Sequence, residues 1–160
     1  MKLYIIGQAG CGKTTLAKKL SKEKNIPHFD LDDLEWEDLG PDICSRRRTD
    51  EEKTVLLKKL LKENPDWICE GMYYKNWIFP CIKEADEVLI LRLNKFIWIN
   101  RFIIRSFKRL LHIEKMNNKQ TIIYMWQCFK RNYNYNSNYL PEMINKLEKE
   151  NIKYTILTKW

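Results

Sequence analysis

The sequence predicts an α/β fold, with a parallel sheet that carries helices on both faces. The first observation is that short apolar segments typical of strands alternate with longer segments of helical periodicity. This alternation favours parallel strands because each helix returns the chain to the same end of the sheet. The second is a glycine-rich segment, residues 7–15, between the first strand and the first helix. The third is the length of 160 residues without a linker or internal repeat, which predicts a single domain over residues 1–160.

Five segments are predicted as strands because they are short apolar runs bounded by turn-forming residues. They cover residues 2–6, 27–30, 66–71, 87–91 and 153–157. The second strand leads into an acidic segment, residues 31–39, which contains Trp36.

Two helices in the first half of the chain have clear limits. The first follows the glycine-rich segment and ends before Pro27, and the second ends at residues 64–65, an Asn-Pro pair. Thr49 and Glu52 form a capping-box pattern at the start of the second helix, in which each side chain bonds the other's backbone amide. The apolar faces predicted for the two helices are Leu16, Ala17 and Leu20, and Val55, Leu56, Leu60 and Leu61.

Three more helices are predicted in the second half, over residues 95–111, over residues 119–131 and from Pro141 to about residue 150. Residues 132–139 are rich in Asn and Tyr and are predicted as a loop.

The charge balance indicates anionic partners without choosing among them. Lys and Arg number 29 against 21 Asp and Glu, a net charge of +8. Phosphorylated small molecules, nucleic acid and membrane surfaces would all be attracted by such a charge.

Several protein classes are disfavoured. No membrane-spanning helix is predicted, because the most apolar stretch, residues 96–111, is broken by Asn100, Arg101, Arg105, Lys108 and Arg109. The apolar run at the amino terminus is too short for the apolar region of a signal peptide. The cysteines, which number five, form no CxxC pair and have two histidines to assist them, so neither a zinc site nor a disulfide framework is expected. We therefore expect a cytoplasmic protein with reduced thiols, a monomer or weak dimer. The cysteines and histidines are Cys11, Cys44, Cys69, Cys81 and Cys128, and His28 and His112.

The glycine-rich segment matches the P-loop pattern Gly-x-x-x-x-Gly-Lys-Thr through Gly7, Gly12, Lys13 and Thr14. Glycines let backbone amides converge on a phosphate, and the following helix presents its positive amino terminus to the same anion. The lysine supplies charge to the β- and γ-phosphates, and the threonine hydroxyl suits a Mg²⁺ ligand. A coincidental glycine turn is the alternative, but the position between strand and helix favours nucleotide binding. The predicted nucleotide-binding residues are Gly7, Ala9, Gly10, Cys11, Gly12, Lys13, Thr14 and Thr15.

Motors and GTPases are disfavoured among proteins with a P-loop. The base-reading pattern Asn-Lys-x-Asp fails at its last position in residues 94–97. The fourth predicted strand ends at Arg92 rather than at an acid that would bind magnesium.

The P-loop followed by Asp30 and Asp32 resembles the small P-loop kinases of the adenylate kinase and shikimate kinase type. Residues 27–36, residues 67–73 and the arginine-bearing helix after the fourth strand resemble more closely the adenylate-kinase-like "DNA topology modulation" proteins. The resemblance extends from the first residue to about residue 131. It implies a P-loop NTPase three-layer sandwich with a five-stranded parallel sheet and a helical lid, at about residues 95–118. It also implies phosphoryl transfer from ATP with Mg²⁺.

Acidic residues at two strand ends are the candidates for substrate and metal binding. By the resemblance to shikimate kinase, Asp30 would hold a Mg²⁺-bound water and Asp32 would meet the acceptor hydroxyl. Asp33 competes for that role, and the acidic run is also what a solvated helix start would contain. Glu70 follows the third strand and would orient Mg²⁺ or the acceptor, while Gly71 permits close backbone approach; a plain strand-exit turn is the alternative.

The long helix after the fourth strand is predicted to be amphipathic. Phe96, Ile99, Ile103, Phe107 and Leu110 share one face, which we expect to face the core. The opposite face carries Arg101, Arg105, Lys108 and Arg109. The resemblance makes this helix part of the lid and assigns Arg101 and Arg105 to the transferring phosphoryl group; solvated cations are the alternative.

Three further features belong to the predicted acceptor region. One arginine of Arg46, Arg47 and Arg48 would meet an anionic acceptor, unless the run is an exposed basic loop. Trp36 and Tyr73 would stack on a ring-shaped acceptor, unless they belong to the core.

Two functions follow from these features. The first is a Mg²⁺-ATP-dependent kinase for a small-molecule acceptor, such as a nucleoside or nucleotide. The alternative is a nucleotide-dependent nucleic-acid-binding or DNA-topology regulatory protein. It is motivated by the charge and by an aromatic and basic mixture without a recognised binding motif, namely Trp126, Lys130, Arg131, Tyr133, Tyr135 and Tyr139.

Overall fold

The main sheet has five parallel strands, as predicted. Their spatial order is His28–Asp30, Trp67–Gly71, Lys2–Gly7, Glu87–Leu91 and Tyr154–Leu157. The computed structural model describes residues 1–37, 46–74, 76–110, 126, 129–130 and 132–160. Two further short strands, β3 and β4, pair antiparallel as a separate ribbon. The strands are β1 (Lys2–Gly7), β2 (His28–Asp30), β3 (Trp36–Glu37), β4 (Arg46–Arg47), β5 (Trp67–Gly71), β6 (Glu87–Leu91) and β7 (Tyr154–Leu157).

The helices lie between the strands, and two short ones, Asp32–Glu35 and Phe79–Glu84, were not predicted from the sequence. They are α1 (Lys13–Lys24), α2 (Asp32–Glu35), α3 (Asp50–Glu63), α4 (Phe79–Glu84), α5 (Lys95–Leu110) and α6 (Leu140–Lys149). A 3₁₀ turn (Asn76–Ile78) precedes α4, and a π-helical turn (Tyr135–Tyr139) precedes α6. The predicted helix over residues 119–131 lies mostly outside the described residues, as do parts of the predicted lid.

Alternating side chains of β1 enter two separate apolar cores. Tyr4 and Ile6 pack with α3, α4 and α6, whereas Leu3 and Ile5 pack on the opposite face with α1 and α5. A central strand buried on both sides accounts for its continuous apolar sequence. The arrangement is a three-layer sandwich of helices, sheet and helices.

The sequence predicts neither a membrane-spanning helix nor a disulfide framework. No helix among them is long and apolar enough to cross a membrane. Cys11, Cys69 and Cys81 are free and buried, while Cys44, Cys128 and His112 lie outside the described part of the chain.

The capping box at α3 is confirmed. Thr49 Oγ1 accepts a hydrogen bond from the Glu52 amide at 3.3 Å, and the Thr49 amide donates to Glu52 Oε2 at 2.8 Å. The predicted apolar face is wrong in one respect, because Val55 is 67% exposed and Leu57 is buried. The helix is rotated relative to the prediction because Lys53 lies on its inner face, where the Lys53 ammonium bonds the buried carboxylate of Glu35 at 3.1 Å.

The prediction of a loop over residues 132–139 is wrong. The described part of this stretch is helical and leads directly into α6, which has Pro141 in its first turn as predicted. Tyr135 is fully enclosed, and its ring stacks on Tyr139 one turn later at 6.3 Å. Burial of these aromatic rings outweighs the turn preference of the asparagines between them.

The prediction of which face of α5 enters the core is also wrong. Phe96 is 81% exposed and Phe107 is 62% exposed, whereas Trp98 is buried and Phe102 packs against it at 5.4 Å. The helix is rotated because Trp98 and Arg101 contact the segment after β1. The side chains of Arg109 and Leu110 are outside the described residues.

Candidate active site

The segment between β1 and α1 has the backbone geometry of a phosphate-binding loop. Gly10 and Gly12 have φ values of +79° and +100°, which side chains disfavour. Cys11 N donates to Gln8 O at 3.2 Å and closes the turn. Gly12 is the N-cap of α1, a helix of 12 residues, so its free amides and dipole point into the loop. Backbone conformation therefore favours glycine at both positions.

Gly7 is required for a different reason. Its φ is not positive, so backbone conformation does not demand glycine at this position. A Cβ built on Gly7 would lie 2.7 Å from Cys11 Sγ and 3.0 Å from Leu91 O. Space, rather than dihedral freedom, excludes larger residues at this position.

The predicted nucleotide-binding side chains lie on and beside the loop. Lys13 begins α1, and its Nζ donates to Gln8 O across the loop at 3.3 Å. Thr14 and Thr15 are exposed in the first turn of α1, and Thr14 is near enough to the Glu70 carboxylate to oppose the rise that burial causes in its pKa. Cys11 is fully buried, and burial raises the pKa of its thiol.

Two carboxylates face each other at the ends of neighbouring strands. The register of β2 and β5 places Asp30 opposite Glu70. Burial raises the pKa of both groups, and the positive charge of Lys13 opposes the shift in each case. Glu70 is 2% exposed, and its Oε1 has no hydrogen-bond partner in the described structure. His28 Nε2 lies 3.6 Å from that oxygen, and burial lowers the pKa of His28, so the imidazole is neutral at neutral pH.

Asp32 is connected to this pair through the backbone. Its amide donates to Asp30 Oδ1 at 3.0 Å, and Tyr73 donates its hydroxyl hydrogen to Asp32 Oδ1 at 2.6 Å. Burial raises the pKa of Tyr73, so the phenol stays protonated. Gly71 is required here because a Cβ at that position would lie 2.9 Å from Tyr73 Cδ2. Asp33 is exposed in the same short helix, α2.

The three arginines near the predicted acceptor region bond groups of the chain itself. Arg46 bonds Glu37 and Glu52, and Arg47 bonds the buried carboxylate of Glu35. One guanidinium nitrogen of Arg48 donates to three main-chain carbonyls, those of Asp33, Leu34 and Trp36. The hypothesis that one of them meets an anionic acceptor gains no support from these contacts.

Trp36 lies outside the core. It stands opposite Arg47 in the β3–β4 ribbon and is 43% exposed, which leaves its ring accessible.

Arg101 is brought to the phosphate loop by α5. Its Nη1 donates to Cys11 O at 3.3 Å and would lie 3.8 Å from a Cβ built on Gly12. Arg105 is one helical turn further along the same side of α5.

Three residues near the loop were not predicted from the sequence. Trp160 Nε1 would lie 3.2 Å from a Cβ built on Gly12, and Trp98 and Asn132 bond the main chain of Ala9. Trp98 is on the helix face opposite to the one expected to be buried. Asn132 begins a stretch rich in Asn and Tyr, and nothing in the sequence distinguishes it from the other asparagines there.

Comparison with known proteins supports the fold. No protein-family model matches the sequence. A stretch of 107 residues is 31% identical to "Uncharacterized protein YqaC" of Bacillus subtilis, covering 67% of this chain and 57% of that protein. A stretch of 32 residues is 53% identical to a shikimate kinase of Rhodopirellula baltica, covering 20% of this chain and 17% of that enzyme. The chain therefore spans less than two thirds of the length of these curated relatives.

A solved structure extends the likeness to the whole architecture. The shikimate kinase from Bacteroides thetaiotaomicron superposes with a TM-score of 0.51 at 15% sequence identity, covering 98% of this chain and 85% of that one. Together with the strand order, this likeness shows that the chain has the P-loop NTPase fold seen in that structure, a five-stranded parallel sheet flanked by helices.

Proposed function

We propose that this protein is a Mg²⁺-ATP-dependent kinase that transfers the γ-phosphoryl group to a hydroxyl of a small molecule. The observation that carries the proposal is the placement of Asp30, Asp32 and Glu70 beside the phosphate loop. Fixed amides and a lysine for the phosphates, next to carboxylates for a metal and a hydroxyl, are what phosphoryl transfer requires of a protein.

The phosphate tail of ATP would bind to the amides of residues 10–15 at the amino terminus of α1. The ammonium of Lys13, which now bonds Gln8 O, would exchange that carbonyl for β- and γ-phosphate oxygens. Arg101 and Arg105, on the side of α5 that contacts the loop, would stabilise charge on the transferring group.

The residues present fit a magnesium ion. Oxygen ligands are required, and Thr14 supplies a hydroxyl while Glu70 and Asp30 supply carboxylates. The unbonded Glu70 Oε1 is an oxygen that a cation would satisfy. When bound, Mg²⁺ would neutralise negative charge on the phosphates.

Asp32 is our choice for the base that accepts the hydroxyl proton. It is the exposed carboxylate that continues from Asp30, and the Tyr73 hydroxyl fixes its orientation. Asp30, Asp33 and Glu70 remain competitors for the role. Because the nearby arginines bond the chain's own groups, we favour a neutral acceptor such as a nucleoside over a nucleotide.

An ADP-release assay with a panel of nucleosides, nucleotides and sugars tests the proposal. Stimulated release should fall by about 100-fold or more in Asp32→Asn, whereas Asp33→Asn, one position along the same helix, should retain wild-type activity. Mg²⁺-ATP affinity should be the same in both variants. Loss of activity in the Asp33 variant alone would move the base by one residue, and absence of any stimulated release would contradict the kinase assignment.

A nucleic-acid-binding function, including the resemblance to DNA topology modulation proteins, is the second candidate. Trp126 is 58% exposed and Tyr133 is 43% exposed, with Lys130 and Lys95 over their rings at 5.9 Å and 3.5 Å. Exposed rings beside cations are typical of single-strand binding surfaces. Tyr135 does not contribute, because it is buried. Binding of an oligonucleotide that persists at physiological salt and weakens steeply above it would support this function.

A further inference from the structure

Ala9, in the middle of the phosphate loop, is held on both sides by side chains from outside the loop. Its amide donates to Asn132 Oδ1 at 2.8 Å, and its carbonyl accepts from Trp98 Nε1 at 2.8 Å. Asn132 and Trp98 are each 1% exposed. Two successive peptide planes are thus fixed by part-buried hydrogen bonds, and rotation of either plane would break a bond to a side chain that is itself buried.

The two side chains belong to one packed unit. The ring of Trp98 lies 5.4 Å from that of Phe129 and 5.4 Å from that of Phe102, and the last two are 5.5 Å apart. Phe129 precedes Asn132 by three residues, so the aromatic contacts hold the asparagine and α5 together. The loop therefore rests on a single support built from two distant parts of the sequence.

The same helix contacts the loop a second time. Arg101, three residues after Trp98, donates to Cys11 O at 3.3 Å. Gly10 lies between the two contacts and has a φ of +79°, and it has no side chain to restrain its own dihedrals. The conformation of the loop at Gly10 is therefore set by contacts made at Ala9 and Cys11.

We propose that Trp98 and Asn132 are positioning residues for phosphate binding. They hold the Ala9 peptides so that the following amides point at the triphosphate before it arrives, which reduces the ordering cost of binding. They also fix α5, and with it Arg101, relative to the loop. The inference rests on the proposed function only in requiring that the loop binds a polyphosphate.

The test compares two tryptophan variants that differ in one respect. Trp98→Phe keeps an aromatic ring and removes the Nε1–H donor to Ala9. Trp67→Phe is the matched control, because Trp67 is also fully buried while its Nε1 has no hydrogen-bond partner in the described structure. Affinities for Mg²⁺-ATP and for inorganic tripolyphosphate are measured by calorimetry, with melting temperatures recorded for each protein.

Trp98→Phe should weaken both ligands by the same factor, about fivefold to tenfold, and Trp67→Phe should bind both like the wild type. Asn132→Ala should weaken them similarly. The double variant should lose less than the product of the single losses, because both bonds restrain the same segment.

Two results would contradict the inference. If Trp98→Phe lowers the melting temperature but binds tripolyphosphate with wild-type affinity, the two residues are merely structural and the inference is wrong. If the wild type itself binds neither ligand, the proposed function fails and this inference fails with it.

Discussion

The substitution Gly7→Ala tests whether space, and not backbone freedom, demands glycine at the end of β1. The new Cβ would lie 2.7 Å from Cys11 Sγ, 3.0 Å from Leu91 O and 3.1 Å from Leu91 Cβ. Ordinary carbon contacts are at about 3.5–4.0 Å, so the Cys11 contact falls short by nearly an ångström. Because Leu91 is in the neighbouring strand and Cys11 is fully buried, neither can withdraw freely.

We expect Gly7→Ala to lower the free energy of unfolding by about 1–3 kcal/mol, the usual cost of overpacking. For a domain of this size that corresponds to a fall in melting temperature of about 2–12 °C. Urea titration and thermal melts measure both quantities. Mg²⁺-ATP affinity should fall as well, because displacement of Cys11 shifts the loop amides.

Two companion variants make the reasoning refutable. Gly10→Ala is the control, since a Cβ there meets nothing within 4 Å and the cost is the strain of its φ of +79°. Cys11→Ala removes the sulfur, so it should recover part of the loss in Gly7→Ala and none of the loss in Gly10→Ala. Simple additivity of Gly7→Ala and Cys11→Ala would refute the steric explanation.

Three other predictions concern single groups. Glu70→Gln should raise the melting temperature of the ligand-free protein at neutral pH, because burial raises the pKa of Glu70 and its charged form costs stability. The difference in melting temperature between Glu70→Gln and the wild type should grow as the pH rises above about 4.3, the ordinary pKa of glutamate, and should vanish below it. Thermal melts between pH 4 and 8 measure this difference. A difference that grows at low pH would contradict the raised pKa of Glu70. Thr49→Ala should lower the free energy of unfolding by about 1 kcal/mol through loss of the α3 cap, measured in urea against Thr54→Ala, and equal losses would argue against the cap. Tyr73→Phe should reduce acceptor-stimulated ADP release several-fold without changing Mg²⁺-ATP affinity, since it removes the hydrogen bond that orients Asp32; an unchanged rate would mean that this bond has no catalytic use.

The fold was predictable from the sequence because its signals are local. The five strands of the main sheet are short segments between turn residues, and the helix starts at Thr49 and Pro141 depend on neighbouring residues alone. The errors arose where distant contacts decide. The face of α5 depends on a hydrogen bond between Trp98 and Ala9, 89 positions apart, and the helical turns after Asn132 depend on burial of Tyr135.

The candidate site was predictable to the extent that its chemistry follows from motifs. The loop glycines, Lys13 and the strand-end carboxylates Asp30 and Glu70 come together because parallel strands end at one edge of the sheet. The support of the loop by Asn132 was not predictable, since one asparagine among several has no distinguishing pattern. The partner of Arg47 was not predictable either, because it depends on where the fold buries Glu35.

The central claim is that the loop after β1 binds the phosphate tail of a nucleotide, and calorimetry of Mg²⁺-ATP binding tests it most directly. The wild type should bind one ATP per chain, and Lys13→Ala should bind at least tenfold more weakly because a charged contact to the phosphates is lost. Lys19→Ala, on the exposed surface of the same helix, should bind like the wild type. Absence of binding at millimolar ATP, or equal affinities of the wild type and Lys13→Ala, would contradict the account.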